Sequence, residues 1–122
     1  MQNGRDGGLA ELVEMTATAV VLRLLRDGHL KSGRDHGGPI VPAVVHGDLW
    51  SGNWGRGRIA RRELVEDVVV DPSSCYAHAE YDFGIMRMFG GFGDSFFDDY
   101  YEGRRKDEPA EEWGDRVELY EL

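Results

Sequence analysis

The stretch Val44-Val45-His46-Gly47-Asp48-Leu49-Trp50-Ser51-Gly52-Asn53-Trp54 constrains this chain more than any other. Two apolar residues lead into His-Gly-Asp, and Asn53 follows Asp48 at a spacing of five. A second stretch, Val68-Val69-Val70-Asp71-Pro72, is a β-branched run that ends on a carboxylate. Three consecutive valines predict a buried strand. Pro72 cannot extend a ladder and predicts the strand's end, which places Asp71 at a strand terminus, where a side chain can face a site. The two stretches, joined by Gly55-Arg56-Gly57-Arg58, read as a hairpin-like unit with a longer loop.

The pattern His-x-Asp-x-x-x-x-Asn is the spacing of a phosphoryl-transfer catalytic loop. An acceptor oxygen must be held in line with the transferring phosphate, its proton needs a nearby carboxylate, and the developing charge needs a cation. Asp48 at one end of such a loop suits the proton, and the side-chain oxygen of Asn53 suits the cation. Magnesium takes hard oxygen ligands and keeps several waters, so Asn53 and one further carboxylate, Asp71, suffice as protein ligands. His46 reads as the histidine that organises the loop.

The run His46 to Asn53, with Trp54-Gly55, resembles the fructosamine-3-kinase or ketosamine-3-kinase family, which includes the protein-ribulosamine 3-kinases. Two later stretches share the likeness. One is Val70-Asp71-Pro72-Ser73 followed by Tyr76-Ala77-His78-Ala79-Glu80-Tyr81-Asp82. The other is Arg87-Met88-Phe89-Gly90-Gly91-Phe92-Gly93 with Phe96-Phe97 and Tyr100. The resemblance runs from about Pro42 to the end, and the Leu-Trp-Ser filling of the loop and Phe-Gly-Gly-Phe-Gly are not general kinase features. It implies a fold like that of protein kinases and aminoglycoside phosphotransferases. It also implies transfer of the ATP γ-phosphate to the 3-hydroxyl of a ketosamine on a glycated protein lysine or a small ketosamine. The 3-phosphate product then falls away and restores the amine, which is protein deglycation. ATP is the implied co-substrate, Mg2+ the implied cofactor, and Asp82 a structural residue that buttresses the loop by hydrogen bonds.

At 122 residues the chain allows one domain with a modest core. Fourteen basic against 23 acidic residues give a formal charge of −9. That argues against nucleic acid and against an anionic membrane surface, both of which are bound through basic residues. The single cysteine, Cys75, excludes an intrachain disulfide and fits a reducing compartment. No apolar run approaches membrane-spanning length and no signal-peptide pattern opens the chain, so a cytoplasmic protein is expected.

Residues 1–8 are polar and glycine-rich and are expected to be a disordered leader. Leu9, Leu12, Val13, Val20, Val21, Leu24 and Leu25 fall at helical spacing and predict an amphipathic helix stopped at Asp27-Gly28; the resemblance to a kinase-like C-lobe implies that it packs beneath the catalytic loop. Lys31 to Gly38 reads as a polar loop and Arg56 to Asp67, with Arg61-Arg62, as a solvated hairpin tip. Helices are predicted over Phe83 to Phe89, over Asp94 to Tyr101, with Phe96, Phe97, Tyr100 and Tyr101 as a core stripe, and from Trp113 onward. Between the last two lies a charged loop containing Pro109.

Asp82-Phe83-Gly84 spells the protein-kinase label of a metal-binding aspartate. No apolar strand is visible before it and a helical pattern follows, so Asp82 reads as a helix N-cap. Asp71, not Asp82, is taken as the magnesium ligand. Gly90-Gly91-Phe92-Gly93 lacks the Lys-Ser/Thr of a phosphate loop and reads as a turn between helices. A zinc site drawn from His46 and Asp48, or from His78, Glu80 and Asp82, has no supporting motif. Trp50 has two readings, one beside the sugar acceptor and one packed under the loop.

The expected architecture is α+β and mainly helical: the C-terminal lobe of a protein-kinase-like fold with a small β-hairpin, partial over residues 9–122. A glycine-rich strand pair and a strand lysine to hold ATP phosphates are not found in the sequence, and Lys31 and Lys106 lie in polar loops. Three alternatives therefore stand: a ketosamine 3-kinase, an aminoglycoside-type phosphotransferase, and a C-lobe that acts at most as a binding module. A partial lobe is expected to expose apolar surface, which favours an oligomer or a separate N-lobe partner.

Overall fold

The computed structural model describes residues 7–122. Most of the expected leader thus lies outside the described residues, and its last two positions, Gly7 and Gly8, are already helical. The opening helix runs as α1 (Gly7–Met15), a π-helical stretch (Thr16–Val21) and α2 (Leu22–Leu25). The widened turn falls on Thr16-Ala17-Thr18-Ala19-Val20-Val21, where branched side chains crowd the preceding turn. The Thr18 hydroxyl also donates to the Glu14 carbonyl at 2.7 Å, a back-bond that loosens a helix.

This helix is covered only at its end, and there by residues 112–115, not by the His46–Asn53 loop. Leu24 is fully buried, and Arg23 pairs with Asp115 at 2.8 Å. Leu9, Leu12 and Val13 are each about 60% exposed, so the first half of the apolar stripe has no cover among the described residues. The chain then turns extended at Arg26 and left-handed at Gly28 (φ +78).

Three antiparallel two-stranded ladders follow. β1 (Lys31–Ser32) pairs with β2 (Gly38–Pro39), so the segment read as a polar loop is a small hairpin. β3 (Ala43–Val45) pairs with β6 (Cys75–Ala77), Val45 opposite Cys75. β4 (Trp54–Gly57) pairs with β5 (Glu66–Val69), Trp54 opposite Val69. Two expectations need correction. Gly55-Arg56-Gly57 is strand, not connector, and the connection is residues 58–65. The valine run is not buried: Val69 and Val70 are each more than half exposed, because a two-stranded ribbon leaves a face open. β6 is a third correction, since a strand does precede Asp82-Phe83-Gly84; three residues are too short to show alternation.

The core lies among α3 (Tyr81–Phe89), α4 (Asp94–Glu102) and α5 (Trp113–Tyr120). Phe83, Met86, Phe97 and Val117 are buried there, with Phe92, Phe96, Tyr100, Tyr101 and Trp113 around them. Phe83 meets Phe97 and Tyr100 edge-on at 5.4 and 5.1 Å, the arrangement ring quadrupoles favour. The α4 aromatic stripe is therefore core, and Phe83 belongs to it. Gly84 is required: a Cβ there would collide with the Tyr120 carbonyl, so α5 lies directly on α3. The chain is thus mixed α and β, mainly helical, with three small ladders beside a helical core.

Candidate active site

β3 delivers the chain to His46, and Asp82 on the first turn of α3 receives it. The Asp82 carboxylate accepts the amides of both His46 and Gly47 at 2.8 Å. Asp82 is buried and is not the N-cap, a position held by Glu80; its side chain serves the loop instead of its own helix. Gly47 is left-handed (φ +80), and a Cβ would collide with the Ser73 carbonyl. Only glycine satisfies both constraints, which explains Gly between His and Asp.

His46 fixes the loop from the other side. Its Nε2 donates to the Val70 carbonyl at 3.0 Å, which leaves Nδ1 to accept the Asp48 amide at 3.3 Å. This pattern requires the neutral Nε2–H tautomer. Val70 also donates its amide to the Asn53 carbonyl at 2.9 Å. The end of β5 is thereby tied to both ends of the loop, and Asp71 is the next residue.

A 3-10 turn (Ser51–Asn53) folds Asn53 back over the loop. Its Nδ2 donates to the Asp48 backbone carbonyl at 2.9 Å and to Asp48 Oδ2 at 3.1 Å. Both amide hydrogens are spent on Asp48, so Asn53 Oδ1 and Asp48 Oδ1 are left as acceptors. The Trp50 ring lies over Gly52, where no Cβ would fit, and meets Phe89 at 5.5 Å. Trp50 is thus packed on the loop while remaining 36% exposed. Ser51 presses on Gly91, which is also left-handed (φ +94), so the glycine turn after α3 is shaped by the loop above it.

Asp71 contrasts with these groups. It is exposed and left-handed (φ +56), a conformation that costs a non-glycine residue about 1–2 kcal/mol and that aspartate tolerates better than most. Among the described residues its carboxylate forms no ion pair. Asn53 and Asp71 offer hard oxygens of the kind magnesium takes, so the residues present fit that ion.

Of the second polar cluster only His78 and Glu80 were legible in the sequence; Asp107 and Arg116 lie too far along the chain. His78, Glu80 and Asp107 bring ligand-type atoms within 4.8 Å of one another, so Asp107 takes the place given to Asp82 in the rejected zinc drawing. A cation is already there. Arg116, fully buried, grips Glu80 through Nε at 2.7 Å and Nη2 at 3.1 Å. Burial opposes its charge, but the Glu80 carboxylate overrides that and raises the guanidinium above its ordinary value. For Asp107, burial pushes upward; hydrogen bonds from His78 (2.9 Å) and the Gly33 amide (2.8 Å) outweigh it and hold the carboxyl low. The cluster is a satisfied ion-pair network.

The fructosamine kinase family model matches residues 1–122. The chain belongs to the fructosamine kinase family. Among curated relatives of this family member, mouse ketosamine-3-kinase is 40% identical over 83 residues, covering 68% of this chain and 24% of the relative. The chloroplastic protein-ribulosamine 3-kinase of Arabidopsis thaliana is 42% identical over 81 residues (66% and 23%). That of Oryza sativa subsp. japonica is 38% identical over 84 residues (69% and 23%). The chain spans about a quarter of the length of these relatives. Among the described residues no helix is long and apolar enough to cross a membrane.

Proposed function

We propose that this fructosamine kinase chain carries the phosphoryl-transfer loop of a ketosamine 3-kinase, within the C-terminal lobe of a kinase-like fold. The observation that carries the reading is the bonding of the loop: Asn53 spends its donors on Asp48, and Val70 joins Asn53 and His46 immediately before Asp71. Asp48 Oδ2 is held by Asn53, and Oδ1 takes the proton of the ketosamine 3-hydroxyl as that oxygen bonds to the γ-phosphorus of ATP and the bond to the ADP oxygen breaks. Asn53 Oδ1 and Asp71 would hold magnesium. When bound, that ion would supply charge neutralisation at the phosphate oxygens. His46 keeps Asp48 and the Asp71 segment in register, and Trp50 flanks the acceptor. Ribulosamine or fructosamine on protein lysines, or small ketosamines, are the acceptors, and phosphorylation leads to deglycation in the cytoplasm.

The test is ATP consumption by the purified chain with magnesium and a ribulosamine-lysine substrate. Replacement of the base, Asp48→Asn, should lower turnover about 10²–10⁴-fold, the usual contribution of a positioned base. Equal turnover in the two proteins would remove the mechanism, and a preference for aminoglycosides in the same assay would replace the acceptor. A binding module is favoured by one observation. Neither lysine is placed beside Asp48: Lys106 lies over the Trp113 ring at 4.4 Å, and Lys31 lies in β1, paired with β2. Absence of turnover from the folded chain would select that reading.

A further inference from the structure

Asp82 can hold the loop only if the first turn of α3 is itself held, and the structure shows what holds it. Glu80, the N-cap of α3, is 2% exposed, and Arg116 on α5 is 0% exposed. Their contact is a two-point fork at 2.7 and 3.1 Å. The remaining guanidinium donors reach the backbone carbonyls of Asp107 (2.9 Å) and Pro109 (2.8 Å). On the other side of Asp82, Gly84 touches the Tyr120 carbonyl so closely that no Cβ fits. Residues 80 and 84 bracket residue 82, and both are pressed by α5.

A buried ion pair is a poor way to gain stability, because desolvation offsets the attraction and an apolar replacement is often neutral. What a planar fork supplies is geometry: it fixes rotation about the helix start, which apolar packing does not. We infer that Glu80 and Arg116 are positioning residues for the catalytic loop, locking Asp82 against the amides of His46 and Gly47 and thereby setting Asp48. The kinetic part of this inference rests on the phosphoryl-transfer reading; the structural part does not.

The experiment compares Arg116→Lys, which keeps the charge and loses the fork, with Val117→Ala, which opens the core one residue away. Amide hydrogen exchange at Gly47 is followed by NMR alongside global unfolding by denaturant. In Arg116→Lys, Gly47 exchange should accelerate at least tenfold beyond what the loss of global stability accounts for. Its kcat should fall about a hundredfold, the usual result of a misplacement on the order of 1 Å, with little change in KM for ATP. In Val117→Ala, Gly47 exchange should change only in step with global stability. Proportional changes in both variants would overturn the inference. If the unmodified chain shows no turnover, the phosphoryl-transfer reading fails, and the exchange comparison still decides the positioning role. If Arg116→Lys does not fold, native-state exchange in the unmodified chain decides. Gly47 and the Arg116 Nε proton opening together, with one denaturant dependence, supports the coupling; Gly47 opening at lower free energy overturns it.

Discussion

Two aspartates flank the catalytic loop in space, and they are held in opposite ways. Asp82 is buried, accepts two backbone amides at 2.8 Å, and stands beside a helix start gripped by a buried arginine. Asp71 is exposed, left-handed at φ +56, and follows a ribbon whose outer valines face solvent. A buried carboxylate with each oxygen already accepting a backbone amide cannot readily serve a cation as well. One with open oxygens, kept in a costly backbone conformation at the edge of a site, can. The literal Asp-Phe-Gly places its aspartate in the scaffold, and our proposed metal ligand is the aspartate of the plain Val-Asp-Pro, on bonding and not on spelling.

Substitutions should break that comparison in a definite order. Asp82→Ala strands two partly buried amides and should cost about 3 kcal/mol in denaturant unfolding, since each loses a charged acceptor. A loss under about 1 kcal/mol would mean water replaces the carboxylate and the scaffold role is wrong. Gly47→Ala combines a left-handed backbone with a collision at the Ser73 carbonyl and should cost about 2 kcal/mol or more. A thermal melt unchanged from the parent would show that the turn relaxes freely.

The pH dependence sharpens the same contrast, because the scaffold side is where the perturbed groups lie. Burial, and then the Glu80 charge, push the Tyr120 phenol from 10.0 up to about 12, and Tyr101 is raised by the same two causes. A raised folded value means stability is full below pH 10 and is lost as pH climbs from 10 toward 12. Asp107 is shifted the other way. Its contribution is present above the ordinary carboxylate value, about 4, and disappears as pH falls through the lower folded value. Unfolding free energy measured across pH should therefore fall at both extremes, and Tyr120→Phe should shrink the alkaline fall. An alkaline limb unaltered in that variant would contradict the burial argument. The smallest stability effect is expected at Asp71, where Asp71→Asn, which tolerates the left-handed backbone as aspartate does, should stay within about 0.5 kcal/mol of the parent.

The bonded loop was legible because it is local: His46, Asp48 and Asn53 carry their spacing in eight consecutive residues. Two of the core helices were legible because Phe83 and Phe97 sit in periodic patterns; α5 was expected from Trp113 onward without one. The mixed, mainly helical class followed from both. What escaped notice depends on distance. Glu80 and Arg116 are 36 residues apart, and nothing local marks an arginine for complete burial. β6 is three residues long and exists only because β3 pairs with it. The valine run and the opening helix were misjudged for one reason: apolar patterning announces a face to be covered but not whether a cover is present among the same residues. Leu9, Leu12, Val69 and Val70 show this most clearly.

The most direct measurement is magnesium-dependent phosphorylation of a ketosamine by the unmodified chain and by Asp71→Asn, with unfolding free energy recorded for both. The account predicts that turnover collapses in the variant, while its stability matches the parent within about 0.5 kcal/mol. Turnover retained at the same magnesium concentration would contradict it and return the metal-ligand role to another carboxylate.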